Sequence, residues 1–302
     1  MEKIKLSNGI EVLPICYGSP IVLTYNFGHH GKLFKYKYWI HNFIKRNNQY
    51  KLDTSVKKII KTSLKNGCTM VDTSRAYAGS EKLIGKVLNK YDRNKYIICT
   101  KLCNYHQYKN DVRDGLNTSL EKLGLDYVDI YLMHWPVEGK FIDSWKQMEE
   151  LYYEGKCKAI GVCNFNIHHL EELKKTAKIM PMINQIECHP LFTQEELCNY
   201  CQENNIKVMA YTPTARMDAR INKTCVPEIA KKYDKSIAQI ILRWHVQLAR
   251  IPVVNSTKCC HMLENLDIFD FSLTEDEIKK ISKININSRL RFDPDNVDFK
   301  KI

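Results

Sequence analysis

No stretch of this sequence approaches the roughly 20 consecutive apolar residues that a membrane-spanning helix requires. The first residues, Met-Glu-Lys-Ile-Lys-Leu-Ser-Asn-Gly, include no apolar segment of the kind that a secretory signal carries. We therefore expect no transmembrane segment and a cytoplasmic location.

The sequence also lacks the glycine-rich signatures G-x-G-x-x-G and G-x-x-x-x-G-K, so a nucleotide would have to be held in another way. Neither paired carboxylates nor histidines at metal-ligand spacing stand at the ends of the predicted strands. We therefore expect no metal site, and a hydrolase or isomerase has no support.

Acidic residues are missing from one long stretch, since residues 12–52 contain no Asp or Glu. The whole chain carries 46 Lys and Arg against 34 Asp and Glu, which gives a formal net charge of +12. Outside that stretch the basic residues are dispersed and no nucleic-acid motif is present, so we interpret the charge as a lysine-rich surface and expect no nucleic-acid partner.

Twelve cysteines are present in a chain of 302 residues. Without a secretory signal they are best interpreted as reduced core thiols. Cys198 and Cys201 form a C-x-x-C, but it begins on a predicted helix and no second pair accompanies it. We interpret this pair as packing rather than as a zinc or redox site.

Short apolar runs alternate with helical patterns along the chain. Strands are predicted at 13–18, 69–73, 96–101, 127–133, 158–162, 182–186, 206–211 and 251–254. Helices are predicted at 54–65, 80–90, 110–122, 142–154, 167–178, 194–204 and 236–249, and a capping box at Thr274 and Glu277 starts another. Eight buried strands alternating with helices predict an α/β fold, a (β/α)8 TIM barrel forming a single domain over 1–302, with an open doubly wound sheet as the alternative.

The connection between the first two predicted strands is too long for a barrel loop and holds an inserted segment at about 25–50. This segment is rich in Tyr, Phe, His and Lys. Because it follows the C-terminal end of the first strand, we expect it at the mouth of the barrel, where its cations and aromatic rings would select an anionic substrate. Packing on the barrel rim, or a surface for a partner or a membrane, is the alternative.

Four polar residues stand at or just past the C-terminal ends of predicted strands, namely Asp72, Tyr77, Lys101 and His134. In a barrel of parallel strands these ends face one shared mouth, where active sites are built. An acid, a phenol, an amine and an imidazole that meet there indicate a site for proton transfer. A structural ion pair of Asp72 with Lys101, beside a rim tyrosine, is the other interpretation.

The sequence resembles the aldo-keto reductase family over nearly its whole length. Segments in the same order and at roughly thirty-residue spacing carry this resemblance: Asp72-Thr-Ser-Arg-Ala-Tyr77, Thr100-Lys101-Leu102, Asp129-Ile-Tyr-Leu-Met-His134-Trp135-Pro136, Gly161-Val-Cys-Asn164-Phe165, Asn184-Gln185-Ile-Glu187-Cys-His189-Pro190, Met209-Ala-Tyr211-Thr212-Pro213 and Glu264-Asn265.

The resemblance implies reduction of an aldehyde or ketone to an alcohol by hydride transfer from NAD(P)H. Tyr77 would be the general acid, Lys101 the cation that lowers its pKa, Asp72 the anchor of Lys101, and His134 the donor that polarises the carbonyl. A regulatory subunit of the same fold, which binds the cofactor but turns over little substrate, is the alternative.

The cofactor residues are likewise implied by the resemblance. Cys163, Asn164 and Gln185 would meet the nicotinamide carboxamide, Tyr211 would stack on the ring, and Thr212 would contact the pyrophosphate. Cys163 stands where the family usually has Ser. Glu187 and His189 are interpreted as braces of the barrel.

The segment expected to bind the adenosine end of the cofactor departs from the family pattern. Asn255 stands in place of a Lys and His261 in place of an Arg, the two cations that hold the 2′-phosphate of NADPH. The remaining contacts assigned here are Ser256, Thr257, Glu264 and Asn265. NADP(H) is favoured, with NAD(H) or use of both as the alternative. For the substrate we assign Trp135 and Pro20 as pocket walls, and we expect a monomer acting on a small carbonyl compound.

Overall fold

The computed structural model describes residues 2–19, 53–77, 79–256 and 258–299. An antiparallel pair that the sequence analysis did not predict comes first: β1 (Ile4–Lys5) with β2 (Glu11–Val12). Between these two strands, the Asn8 side chain donates to the carbonyl of Lys158 at 2.9 Å, which fixes the segment to the body of the protein.

Eight parallel strands follow and close into a barrel. They are β3 (Cys16–Gly18), β4 (Met70–Asp72), β5 (Ile97–Leu102), β6 (Val128–Met133), β7 (Cys157–Cys163), β8 (Ile183–Glu187), β9 (Lys207–Tyr211) and β10 (Ile251–Val254). Their order around the barrel is β10-β3-β4-β5-β6-β7-β8-β9. The predicted (β/α)8 TIM barrel is confirmed, although its first strand, predicted at 13–18, begins only at Cys16.

Helices surround the barrel. The first described one covers 53–65 and is named α1 here. The others are α2 (Ser80–Leu88), α3 (Asn104–Tyr108), α4 (Val112–Leu123), α5 (Phe141–Tyr153), α6 (Ile167–Lys174), α7 (Glu195–Glu203), α8 (Val226–Tyr233), α9 (Ile237–Gln247), α10 (Cys259–Leu266) and α11 (Glu275–Ser282). Among the residues that the structure describes, no helix is both long and apolar enough to cross a membrane.

The strands are buried along almost their whole length, because helices cover their outer side and side chains fill the barrel. Helix α9 shows how the apolar pattern positions a helix: Ile240, Ile241 and Trp244 are fully buried on one face. The predicted Thr274–Glu277 capping box of α11 is confirmed, and a second capping box, which the sequence analysis did not predict, starts α9 at Ser236.

Three predicted features lie outside the described residues. These are the basic and aromatic insertion at 25–50, the pocket wall Pro20 and the phosphate contact Thr257.

Candidate active site

The carboxyl ends of the barrel strands surround one cavity of about 920 Å³, a size suited to a cofactor together with a small substrate. Asp72 ends β4, Lys101 is the last residue but one of β5, and His134 directly follows β6. Tyr77 comes from the connection between β4 and α2. The structure thus brings together the four polar residues that the sequence analysis selected.

Lys101 and Asp72 form a buried ion pair at the base of this cavity. The ammonium donates to both carboxylate oxygens at 2.7 Å and to the carbonyl of Thr73 at 2.8 Å. Gln185 adds a hydrogen bond from its Nε2 to Asp72 Oδ1 at 2.9 Å. Burial is the largest single influence and lowers the pKa of Lys101, but the charge of Asp72 and smaller contributions from neighbouring groups together raise it above the usual value, so Lys101 stays protonated in the folded protein.

Lys101 faces the ring of Tyr77, with Nζ at 5.2 Å from the ring centroid. Enclosure by the barrel raises the pKa of Tyr77, while the Lys101 ammonium lowers it, and the net pKa lies above the usual value of a tyrosine. The predicted effect of Lys101 is therefore present, but burial is the larger influence. Tyr77 is thus a protonated phenol at neutral pH, with a cation placed to stabilise the phenolate that forms when it donates.

His134 lies against Tyr77, with ring centroids 5.7 Å apart in an edge-to-face arrangement. Burial and the charge of Lys101 lower the pKa of His134 to about 3, so its ring is neutral near pH 7. The Ser74 hydroxyl accepts from Ala76 N at 3.1 Å and lies 3.2 Å from His134 Nδ1, to which its own hydrogen is free to donate. When the Ser74 hydroxyl donates to Nδ1, the His134 proton lies on Nε2, and the neutral ring can donate a hydrogen bond from that atom.

The residues expected to meet the nicotinamide all line the cavity: Cys163, Asn164, Gln185 and Tyr211. Asn164 has a left-handed backbone with a φ of 62°, which turns its amide towards His134. Its Nδ2 donates to the carbonyl of His134 at 3.0 Å, and its Oδ1 accepts from the Tyr211 hydroxyl at 2.7 Å. Cys163 is buried, and this burial raises the pKa of its thiol.

Thr212 carries the clearest local sign of a ligand. It lines the cavity, and its Oγ1 is buried without a hydrogen-bond partner among the residues that the structure describes. Its φ of 48° is unusual for a β-branched residue, and such strain concentrates at ligand sites. A buried hydroxyl in this position can donate to a phosphate oxygen.

The end of the cavity that is expected to hold the adenosine of the cofactor contains only some of the predicted residues. Asn255, His261, Glu264 and Asn265 line the cavity. Ser256 does not: its hydroxyl donates to the carbonyl of Lys258 at 2.9 Å and accepts from Lys258 N at 3.0 Å, so it closes a turn. Asn255 and His261 occupy the two positions where the family pattern has a Lys and an Arg.

Trp135 lines the cavity as predicted, and the ring of Phe299 lies 6.1 Å from it. Phe299 belongs to the C-terminal segment, which the sequence analysis did not assign to the site. The same segment places Arg291 and Phe292 on the cavity wall.

Glu187 and His189 explain how this segment is held. Glu187 is fully buried, and its carboxylate accepts from Leu290 N at 2.6 Å and from Arg291 N at 3.0 Å. His189 Nε2 lies 3.0 Å from the same carboxylate. The two residues interpreted as braces of the barrel therefore fasten the C-terminal segment to the end of β8.

Two further cavity residues, Arg216 and Met217, were also missed. They follow β9 with left-handed φ values of 54° and 56°. No turn residue such as Gly or Asn marks this conformation in the sequence, which explains why propensity gave no signal.

Comparison with known proteins agrees with this architecture. The model of the Aldo/keto reductase family matches residues 43–286. The chain is 43% identical over 246 residues to the oxidoreductase YtbE of Bacillus subtilis (strain 168), which covers 80% of this chain and 87% of that protein. It is 40% identical over 241 residues to glyoxal reductase of the same organism, with coverage of 80% and 87%.

A solved structure of an aldo-keto reductase from Bombyx mori in complex with NADP superimposes with a TM-score of 0.83 at 28% sequence identity. The match covers 97% of this chain and 96% of that one. The protein described here belongs to the aldo/keto reductase family.

Proposed function

We propose that the protein is an NADP(H)-dependent carbonyl reductase in which Tyr77 is the general acid. The observation that carries this proposal is the buried Lys101–Asp72 pair, whose ammonium faces the ring of Tyr77. His134 stands beside that phenol as a neutral donor. Relatives named as reductases of small carbonyl compounds, such as glyoxal reductase, support the reaction class.

Each residue of the site has a distinct task in this reaction. His134 Nε2 donates a hydrogen bond to the substrate carbonyl, which holds the oxygen and polarises the bond. As the oxygen becomes an alkoxide, the Tyr77 hydroxyl donates its proton to it, because an alkoxide is a much stronger base than a phenolate. Lys101 stabilises the phenolate until it is reprotonated, and Asp72 keeps Lys101 in place.

The described residues fit NADP(H), which supplies the hydride when bound. The unpartnered Thr212 Oγ1 suits a phosphate oxygen, and the amide and hydroxyl groups of Asn164 and Tyr211 suit a carboxamide and a ring. The Bombyx mori relative was solved with NADP. Because Asn255 and His261 replace the two family cations, we propose a smaller preference for NADPH over NADH than the family pattern gives.

The direct test measures NADPH consumption by the purified protein with a panel of small aldehydes and ketones, including glyoxal and methylglyoxal. The proposal predicts multiple turnovers with a stoichiometric alcohol product. Tight binding of NADPH without turnover of any carbonyl compound would overturn it in favour of a regulatory subunit.

We further propose that preferred substrates carry a carboxylate or phosphate in addition to the reacting carbonyl, and that Arg291 binds this group. Arg291 lines the cavity on an exposed segment whose backbone Glu187 holds in place. Its guanidinium forms no hydrogen bond or ion pair within the described ranges. Burial is the largest influence on the pKa of Tyr77, and the charge of Arg291 is the smallest of those that act on it, which places the guanidinium within electrostatic range of the phenol.

The test compares para-carboxybenzaldehyde with para-nitrobenzaldehyde, which have similar shapes but differ in charge. Arg291→Gln should lower kcat/KM for the carboxylate by about tenfold or more, since a charge-assisted hydrogen bond contributes roughly 1.5–3 kcal/mol. The nitro compound should change little. Arg289→Gln is the matched control, because Arg289 lies outside the cavity lining and against Phe192. Equal losses for both substrates in Arg291→Gln would contradict the assignment.

A further inference from the structure

A buried guanidinium, that of Arg250, has a sulfur atom as its hydrogen-bond partner. Arg250, between α9 and β10, is 8% exposed, and its Nη1 donates to Cys188 Sγ at 3.3 Å. Its Cζ lies 5.1 Å from the ring of Trp244. No carboxylate forms an ion pair with Arg250 in the part of the chain that the structure describes. A buried guanidinium favours an anion beside it, and ionisation of Cys188 supplies one.

A second thiol faces the same place. The thiols of Cys188 and Cys198 both donate to the carbonyl oxygen of Thr193, at 3.3 Å and 3.6 Å. A hydrogen bond from Cys198, followed by the charge of Arg250, lowers the pKa of Cys188 to about 7 despite its burial. The same hydrogen bond, together with burial, raises the pKa of Cys198. The structure therefore places two thiols on one carbonyl oxygen, and Arg250 stands where it favours ionisation of Cys188.

The pairing differs from the one that the C-x-x-C spacing indicates. Cys201 is fully buried on α7 and accepts a contact from Asn184 Nδ2 at 3.9 Å, and burial raises the pKa of its thiol. Cys198 instead faces Cys188, which directly follows β8. The structure thus brings Cys198 of α7 close to Cys188, which follows β8, rather than pairing Cys198 with Cys201, its neighbour in sequence.

We propose that Cys188 and Cys198 form a peroxide-sensitive thiol pair, in which Arg250 holds Cys188 as the reactive thiolate and Cys198 is the resolving thiol. This site is independent of carbonyl reduction. Its oxidant is hydrogen peroxide, and because both thiols are buried, their oxidation requires a local opening of the protein. A low-pKa thiolate beside a second thiol is the arrangement found in redox-sensing cysteines.

The chemistry balances in two steps. The Cys188 thiolate attacks one peroxide oxygen, which gives a sulfenic acid and releases hydroxide. The sulfur of Cys198 then attacks Cys188, the new S–S bond forms, and the sulfenic oxygen leaves as water with the proton of Cys198. Two electrons pass from the two sulfur atoms to the peroxide, and the net products are one disulfide, one water and one hydroxide.

The experiment treats the folded, full-length protein with hydrogen peroxide at pH 7, blocks the remaining thiols with N-ethylmaleimide and cleaves after glutamate. Cleavage at Glu187, Glu195, Glu196 and Glu203 separates peptide 188–195 from peptide 197–203. The proposal predicts that these two peptides are recovered joined by a disulfide. Cys201→Ser, the matched control on the same helix, should keep the cross-link.

Two variants test the assigned roles. Cys198→Ser should abolish the cross-link and leave a Cys188 sulfenic acid that dimedone traps. Arg250→Met should slow oxidation of Cys188 by about tenfold or more at pH 7, because an ordinary cysteine is only a few per cent ionised there. Arg250→Lys, which keeps the charge, should slow it less.

Three results would overturn the proposal. One is an unmodified Cys188 after the exposed Cys260 has been fully oxidised. Another is a cross-link that survives Cys198→Ser but is lost in Cys201→Ser. The third is an unchanged oxidation rate in a folded Arg250→Met protein. If Arg250→Met does not fold, the comparison of the two serine variants decides.

Discussion

Replacing Lys101 by Met separates the structural and chemical tasks of the buried ion pair. The methionine keeps most of the apolar stem of the lysine but removes the ammonium, which leaves the buried carboxylate of Asp72 with only the Gln185 hydrogen bond. Breaking a buried pair by removing one partner costs about 3–5 kcal/mol. We therefore expect Lys101→Met to lower the free energy of unfolding by that amount.

The same change should reduce kcat by about 100-fold or more, because the Tyr77 phenolate then forms without a neighbouring cation. The assay combines urea unfolding followed by tryptophan fluorescence with steady-state turnover at saturating NADPH. Adding Asp72→Asn to Lys101→Met removes the stranded charge. The double variant should regain much of the lost stability but none of the lost activity.

In the double variant, the free energy of unfolding should therefore recover while kcat stays low. A stability loss below about 1 kcal/mol in Lys101→Met would mean that the pair is not buried as described. Recovery of kcat together with stability would show that Lys101 acts only on the fold, and its assignment as the cation of Tyr77 would be wrong.

Two further predictions concern the cofactor and pH. Asn255→Lys combined with His261→Arg should tighten NADPH by about tenfold or more and leave NADH nearly unchanged in a fluorescence titration, because only NADPH carries the 2′-phosphate. The pKa of His134 in the folded protein is about 3, below its unfolded value, so the unfolded chain binds more protons between these two pH values. Stability should therefore fall as pH falls from about 6.5 towards 3, and His134→Gln should flatten this slope in urea titrations at several pH values.

Periodicity predicted eight strands alternating with helices, which favoured a barrel with one shared mouth over an open doubly wound sheet. Strands such as β6 are apolar along their length and stand between helices with an amphipathic pattern, so their number and order could be derived. Parallel strands place their C-terminal ends together, which is why Asp72, Lys101 and His134 could be selected as neighbours from the sequence alone.

The contribution of the C-terminal segment could not be predicted in the same way. Its sequence has no hydrophobic periodicity, and Arg291 lines the cavity on a segment whose backbone is bound by Glu187, which lies far earlier in the chain. The thiol pair was also missed, because Cys188 and Cys198 come together where the chain turns from β8 into α7, whereas the C-x-x-C spacing pairs Cys198 with Cys201. The turn at Ser256 was not predicted either: its hydroxyl, assigned from the sequence to a phosphate, donates to the carbonyl of Lys258 in the structure.

The most direct test of the central claim is the turnover of Tyr77→Phe at saturating NADPH, measured beside the affinity of the same variant for NADPH. The account predicts that kcat falls by about 100- to 10,000-fold, the usual contribution of a general acid, while NADPH binds as in the unmodified protein. Near-normal turnover of Tyr77→Phe with intact cofactor binding would contradict the claim that Tyr77 donates the proton.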